Sequence, residues 1–221
     1  MNRVRPLAAC VAVLLVTGAV SALAEGADHD RLVRAKAVIQ GPGGIEGVVT
    51  FRQRPCPGCP SPELHAPATD PAFRAFPEPS VDVTARISGP ATALVPGAHG
   101  IHIHEVGVCD AASGFSSAGG HFDPGPLGHS NPVDANHPFH MGDLPNLIVN
   151  SRGKGFMKHT TSRITLSPGP LSVFDADGSA VIVHLNTDRG ITGVAGASGG
   201  PRIACGIVRL TVSGEEDDDE D

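Results

Sequence analysis

The stretch Lys36-Ala-Val-Ile-Gln-Gly41-Pro-Gly-Gly44-Ile45-Glu-Gly-Val-Val-Thr-Phe-Arg-Gln53 decides the fold class. Two runs rich in β-branched residues flank a Gly-Pro-Gly-Gly link, and such a pair reads as a β-hairpin. Working outward, the runs at 32–40 and 45–53 are joined by further strand-like runs at 81–88, 99–106, 147–150, 155–166, 180–186 and 203–212. No amphipathic helix of three turns follows residue 24. Strands punctuated in this way by Gly and Pro predict an all-β protein, an eight-stranded sandwich or flattened barrel.

The ends and long connections are read by composition. Arg3 and Arg5, an uncharged run over 6–24 and the exit Ala22-Leu23-Ala24 predict a cleavable export signal. Thr17, Gly18 and Ser21 weaken the run as a membrane anchor. A lead-in at 25–35, a folded domain at 36–213 and a solvated, disordered acidic tail at 214–221 complete the expected organisation. Outside the signal and the acidic run 215–221 the charge is near −2, which points to neither a nucleic-acid nor a membrane partner. Segments 54–79, 109–145 and 187–201 are too long for simple turns, and loops of that length tend to carry function.

The exported chain has four cysteines, Cys56, Cys59, Cys109 and Cys205, so three pairings are open. Export makes disulfides available. One pairing joins Cys56 to Cys59 locally and Cys109 to Cys205 across nearly 100 residues, a closure the chain-entropy model values at roughly 4 to 5 kcal/mol.

The chemistry is concentrated in histidines. In a strand, residues two apart share a face, so His102 and His104 project together while Ile101 and Ile103 enter the other side. His121, His129, His140 and Asp143 follow, and His184 comes later. Imidazole suits copper and zinc, and a carboxylate can complete a tetrahedral zinc. These residues exceed what a single ion needs, so two metal ions are expected.

Five ordered blocks carry a resemblance: Gly100-Ile-His-Ile-His-Glu105, Ser117-Ala-Gly-Gly-His-Phe-Asp-Pro124, His140-Met-Gly-Asp-Leu-Pro-Asn146, Val181-Ile-Val-His184 and Gly200-Pro-Arg-Ile-Ala-Cys-Gly-Ile-Val208. The sequence resembles the copper/zinc superoxide dismutase family, in its bacterial exported form. The resemblance implies a Greek-key architecture with long metal-binding and active-site loops. It implies copper on His102, His104, His121 and His184, and zinc on His121, His129, His140 and Asp143, one ion of each per subunit. His121 would bridge the two ions and exchange a proton with the reaction. Asp188 would link a copper histidine, His102, to a zinc histidine, His129. Arg202 would guide superoxide, and Cys109 would pair with Cys205. His99 would be a structural, hydrogen-bonded residue, and His29, His65, His137 and His159 would lie outside the site. The implied activity converts superoxide to dioxygen and hydrogen peroxide by copper redox cycling, with a structural zinc.

Two features depart from the family pattern. Between His184 and Arg202 only Asp188 and Arg189 carry charge, which leaves Lys154 and Lys158 as candidate substitutes for steering the anionic substrate. Cys56-Pro57-Gly58-Cys59 reads as a disulfide, a copper-receiving dithiol or a redox contact. An alternative to the enzyme is an exported protein that stores or delivers copper and zinc on the same fold. The expected compartment is periplasmic or extracellular, and a homodimer and a monomer both fit the resemblance.

Overall fold

The computed structural model describes residues 32–55, 79–124, 140–190 and 197–211. The export signal, Cys56, Cys59, His29, His65, His129, His137 and the acidic tail lie outside these residues. The described chain forms nine strands in one antiparallel sheet: β1 (Val33–Gly41), β2 (Ile45–Gln53), β3 (Val81–Ser88), β4 (Gly97–His99), β5 (Ile101–His104), β6 (Leu147–Val149), β7 (Lys154–Thr161), β8 (Ala180–His184) and β9 (Arg202–Leu210). Their order is β4-β6-β7-β3-β2-β1-β9-β8-β5.

The hairpin opens the sheet as its sequence predicts, with β1 and β2 in unbroken register from Val33↔Gln53 to Gly41↔Ile45. The ninth strand arises because the run 99–106 does not form one element. Gly100 divides it, donating its amide to Asn186 O at 2.8 Å and accepting from His184 N at 2.8 Å. That break sends the chain from β4, at one end of the strand order, to β5, at the other. The sheet therefore nearly closes into a flattened barrel.

Period-2 alternation fills the barrel. Ala35, Ala37 and Ile39 of β1 and Val49 and Phe51 of β2 point inward and are buried. They pack with Val81, Val83, Ala85 and Ile87 of β3 and with Ile101 and Ile103 of β5. Each large side chain removed from water contributes roughly 1.5 to 3 kcal/mol. The strand β7 stops at Thr161 rather than continuing to 166, since the next segment turns back to cap the barrel with buried Ile164, Leu166 and Val173. Gln53, only 3% exposed, holds this cap: its Nε2 donates to Ser167 Oγ at 3.0 Å and its Oε1 accepts the Leu166 and Ser167 amides. A buried carboxamide is tolerable only with its donors and acceptor engaged in this way.

On β5 and β8 the same alternation works for the site. Ile101, Ile103, Val181 and Val183 enter the core, so His102, His104 and His184 stand on the outer face, where the long loops cover them.

Candidate metal centre

As the last strand in the order, β5 has one free edge, and the ligand-bearing loop covers it. Ile103 N donates to Gly142 O, Phe122 N to Ile103 O and Glu105 N to Gly120 O, all at 2.9 to 3.0 Å. The resulting bridges pair His104 with His121 and His102 with Asp143. Backbone pairing thus both protects the edge and delivers the loop's ligands to the strand's histidines.

Two groups result. In the first, one nitrogen from each of His102, His104, His121 and His184 lies within 4.8 Å of the others. In the second, His121, His140 and Asp143 meet the same limit, so His121 belongs to both. Its Nδ1 is 2.6 Å from Asp143 Oδ1, which leaves Nε2 on the opposite edge of the ring for the four-histidine group. His129 lies outside the described residues.

Hydrogen bonding fixes the tautomers of the first group. His104 Nδ1 is 3.1 Å from Gly119 O and His184 Nδ1 is 2.8 Å from Gly200 O. His102 turns its Nε2 to Asp188 Oδ2 at 2.8 Å. Carbonyls and carboxylates only accept, so each of these nitrogens carries the ring proton and the other nitrogen keeps its lone pair. Those other atoms, His102 Nδ1, His104 Nε2 and His184 Nε2, are buried without a hydrogen-bond partner. Three buried lone pairs facing one small space are costly unless a cation takes them up. The donor set therefore fits a metal ion, and all-imidazole donors suit copper.

Electrostatics point the same way. Burial pushes His104 down to about 2 and His184 down to about 3, with neighbouring histidines and Arg202 adding to the effect. Both rings are neutral at physiological pH and free to act as donors to a metal ion. Burial also lowers His121, against the pull of Asp143. Desolvation would raise Asp143, but hydrogen bonds from His121 and His140 outweigh it and hold the carboxyl well below the usual carboxylate range. An ionised carboxylate among imidazoles is a donor set suited to zinc.

Asp188 is held as firmly as the ligands. Its backbone is clipped by Asn146, whose Nδ2 donates to Asp188 O and whose Oδ1 accepts Asp188 N, both at 2.9 Å. Sequence reasoning gave Asn146 no role. Its signal was its place at the end of the block His140-Met-Gly-Asp-Leu-Pro-Asn146, where a loop amide can replace two missing ladder bonds.

Arg202 begins β9 beside His184. Its Nη1 donates to Phe115 O and its Nη2 to Gly119 O, both at 2.6 Å. Gly119 O therefore serves both the arginine and the His104 ring. Gly119 has φ 72° and a side chain there would meet Glu105 Oε1 at 2.5 Å, so only glycine suits the position. Phe115 is anchored in a cluster with Ala118, Ala180, Ile182 and Cys205, with Cys109 packed against it. Cys109 and Cys205 are disulfide-bonded, with Cα atoms 5.7 Å apart. The staple ties the segment that fixes Arg202 to the strand that carries it.

A family profile described as copper/zinc superoxide dismutase (SODC) matches residues 72–208. The chain belongs to the copper/zinc superoxide dismutase family. It is 39% identical over 131 residues to superoxide dismutase [Cu-Zn] 2 of Brassica juncea, a match covering 56% of this chain and 80% of that one. The superoxide dismutase [Cu-Zn] of Deinococcus radiodurans is 39% identical over 130 residues, 55% of this chain and 69% of its own. An extracellular superoxide dismutase [Cu-Zn] of Onchocerca volvulus is 31% identical over 185 residues, 80% of this chain and 76% of its own. Among solved structures, a double mutant of a SOD-like protein from Bacillus subtilis superposes with a TM-score of 0.50 at 29% identity, covering 78% of this chain and 95% of that one. The cofactors of the family are copper and zinc, and the two ligand groups here can hold one ion each.

For this superoxide dismutase family member, the other predicted positions fall as follows. His99 is buried with its ring between Val95 O at 2.7 Å and His184 O at 2.8 Å, so it supports a ligand's backbone and joins neither group. His159 lies on β7 and belongs to neither group, although it lines one cavity with Asp143. Lys154 and Lys158 are on the exposed face of β7, in register with Ser88 and Thr84 of β3. The end of β7 lines one cavity with Asp143 and Asp188, but neither lysine is among its lining residues.

Proposed function

We propose that this protein is an exported superoxide dismutase in which two superoxide radicals and two protons become dioxygen and hydrogen peroxide. In this reading copper is held by His102, His104, His121 and His184, and zinc by His121, His129, His140 and Asp143. Bound copper supplies a one-electron couple, while zinc adds fixed charge and has no redox chemistry of its own. The observation that carries the reading is the set of three buried, partnerless ring nitrogens on His102, His104 and His184, each opposite a bonded nitrogen.

The protein's residues supply orientation, charge and a proton. Asp188 fixes the His102 ring, and the Gly119 and Gly200 carbonyls fix His104 and His184; partners behind a ligand commonly decide its geometry and basicity. Arg202, with its two Nη atoms on carbonyls, presents a fixed cation that attracts and orients a small anion. His121, shared by both groups, would offer Nε2 to copper and, whenever that nitrogen is free of the metal, would take up a proton from water there and pass it to the departing peroxide. The disulfide and the extracellular relative support export, with a periplasmic or extracellular destination.

Superoxide decay by the purified, copper- and zinc-loaded protein, expressed per bound copper, tests this reading against a His121→Ala control. Fast decay that the control loses is the expected result. Two stoichiometric metals with decay no faster than the control would leave a copper and zinc storage or delivery protein.

A further inference from the structure

Outward-pointing residues of six strands line up in one cross-strand row, and that row is largely apolar. Register pairs Val38 of β1 with Val48 of β2, Val48 with Arg86 of β3, and Arg86 with Phe156 of β7. It continues from Phe156 to Ile148 of β6 and on to Ala98 of β4. Val38, Val48, Phe156 and Ile148 are 54%, 37%, 48% and 59% exposed. Charge enters the row at Arg86 alone, and its guanidinium lies over the Phe156 ring, 5.3 Å from the centroid. The solvent face of an antiparallel sheet is ordinarily polar, and a contiguous apolar stripe on such a face marks a contact surface.

Polar rows border the stripe. On one side Gln40, Glu46, Ser88 and Lys154 are in register. Asn150 N donates to Lys154 O there, and Arg152 N to Asn150 Oδ1, both at 2.9 Å, so the turn after β6 extends that row. On the other side stand Thr50, Thr84 and Lys158. Glu46, Arg152, Lys154 and Lys158 are all exposed.

We infer that a second copy of this chain docks on the stripe, about a two-fold axis parallel to the strands and passing between β7 and β3. Turned about that axis, the row meets its own complement: Phe156 faces the partner's Arg86, Ile148 the partner's Val48, and Ala98 the partner's Val38. Each guanidinium then lies between two rings, a favourable place for a cation. In the bordering rows Lys154 faces the partner's Ser88 and Lys158 the partner's Thr84. Glu46 comes to the partner's Asn150, beside the partner's Lys154 and the partner's Arg152. Thus no like charges are opposed, and the acid of this face meets two bases. A bilayer or an unrelated protein would not need the cation to fall opposite the ring or the acid opposite the bases. In a two-fold contact every such pairing occurs twice. Six strands at about 4.8 Å spacing and three rows of side chains bury on the order of 1,000 Å² in total, the lower bound for a specific interface. The dimer is therefore reversible, with Kd on the order of micromolar. The inference does not depend on the function proposed above, because no residue in it belongs to the metal centre.

Sedimentation equilibrium of the copper- and zinc-loaded protein from about 1 to 200 µM tests the inference. A rise from monomer to dimer mass is expected within that range. Phe156→Asp, at an exposed position, should raise Kd roughly tenfold or more with metal content unchanged. Glu46→Arg should weaken the dimer too, and adding Arg152→Glu and Lys154→Glu to it should restore affinity, which fixes the axis. Monomer mass throughout would overturn the inference, including the case in which the monomer pellets with vesicles of phosphatidylcholine and phosphatidylglycerol. So would a dimer that either Phe156→Asp or Glu46→Arg leaves unchanged.

Discussion

In the proposed function, Arg202 would link substrate attraction to loop geometry through its two hydrogen bonds to Phe115 O and Gly119 O. Arg202→Ala should remove about 1.5 to 3 kcal/mol of stability, the range for hydrogen bonds to a charged group. It should also lower superoxide decay per copper by roughly tenfold or more, with metal content unchanged. Arg202→Lys keeps the charge but not the fork that reaches both Phe115 and Gly119, so its rate should fall between the two. Stopped-flow decay alongside metal analysis separates these cases. A second residue-scale consequence concerns the metal-free protein. Burial holds His104 at about 2 and His184 at about 3, against the ordinary value of 6.5. Below 6.5 the unfolded chain takes up protons that the folded chain refuses. Stability that is complete above that pH is therefore lost as the pH falls toward 3, by up to about 1.4 kcal/mol per pH unit for each ring. Urea midpoints of the metal-free protein should drop at each step from pH 7 to 6 to 5. Bound metal keeps the rings deprotonated, so the loaded protein should resist until lower pH.

At the level of elements, the strands were legible because their alternation is regular, and so was the pairing of His102 with His104 on one face. The split of 99–106 was not. Its cause is the exchange of Gly100's backbone bonds with His184 and Asn186, partners more than 80 residues away that no local pattern reveals. Gly119 and Asn146 escaped for a similar reason: one acts through its carbonyl and the other through a neighbour's backbone, neither of which has a spacing rule. The disulfide shows how an element-scale staple serves the site. It closes 96 residues of chain, for which the chain-entropy model gives about 4 to 5 kcal/mol, and it lies in the cluster that seats Phe115. Replacing Cys109 and Cys205 together by Ser should lower stability by about 2 to 5 kcal/mol. The decay rate per bound copper should fall as well, because Arg202 loses the anchored carbonyl it rests on. Equal activity per copper in the double variant would mean that Gly119 O alone suffices to hold the arginine.

Across the whole molecule, charge is distributed against long-range attraction of an anion. The full sequence carries −7, while the exposed cations of β2, β7 and β9 stand on strands outside the ligand groups. Lys158 is one of these, so the lysines that sequence reasoning offered as steering residues belong to a different surface. Arg209 lies seven residues along β9 from Arg202, roughly 23 Å at strand spacing, more than two Debye lengths at physiological ionic strength. In the proposed reading, attraction at the site mouth would therefore come from nearby cations such as Arg202, acting over a short range, while the net charge opposes approach from afar. Added salt screens both effects, and they have opposite sign. The rate of superoxide decay should accordingly fall by less than about threefold as salt is raised from about 10 to 200 mM, a range over which the Debye length shrinks from about 30 to below 10 Å. Decay rates followed at fixed pH across that range give the answer directly. A tenfold fall would require a ring of cations around the mouth that Arg202 alone does not provide, and the charged residues to mutate next would then be those of the loops flanking His184 and Arg202.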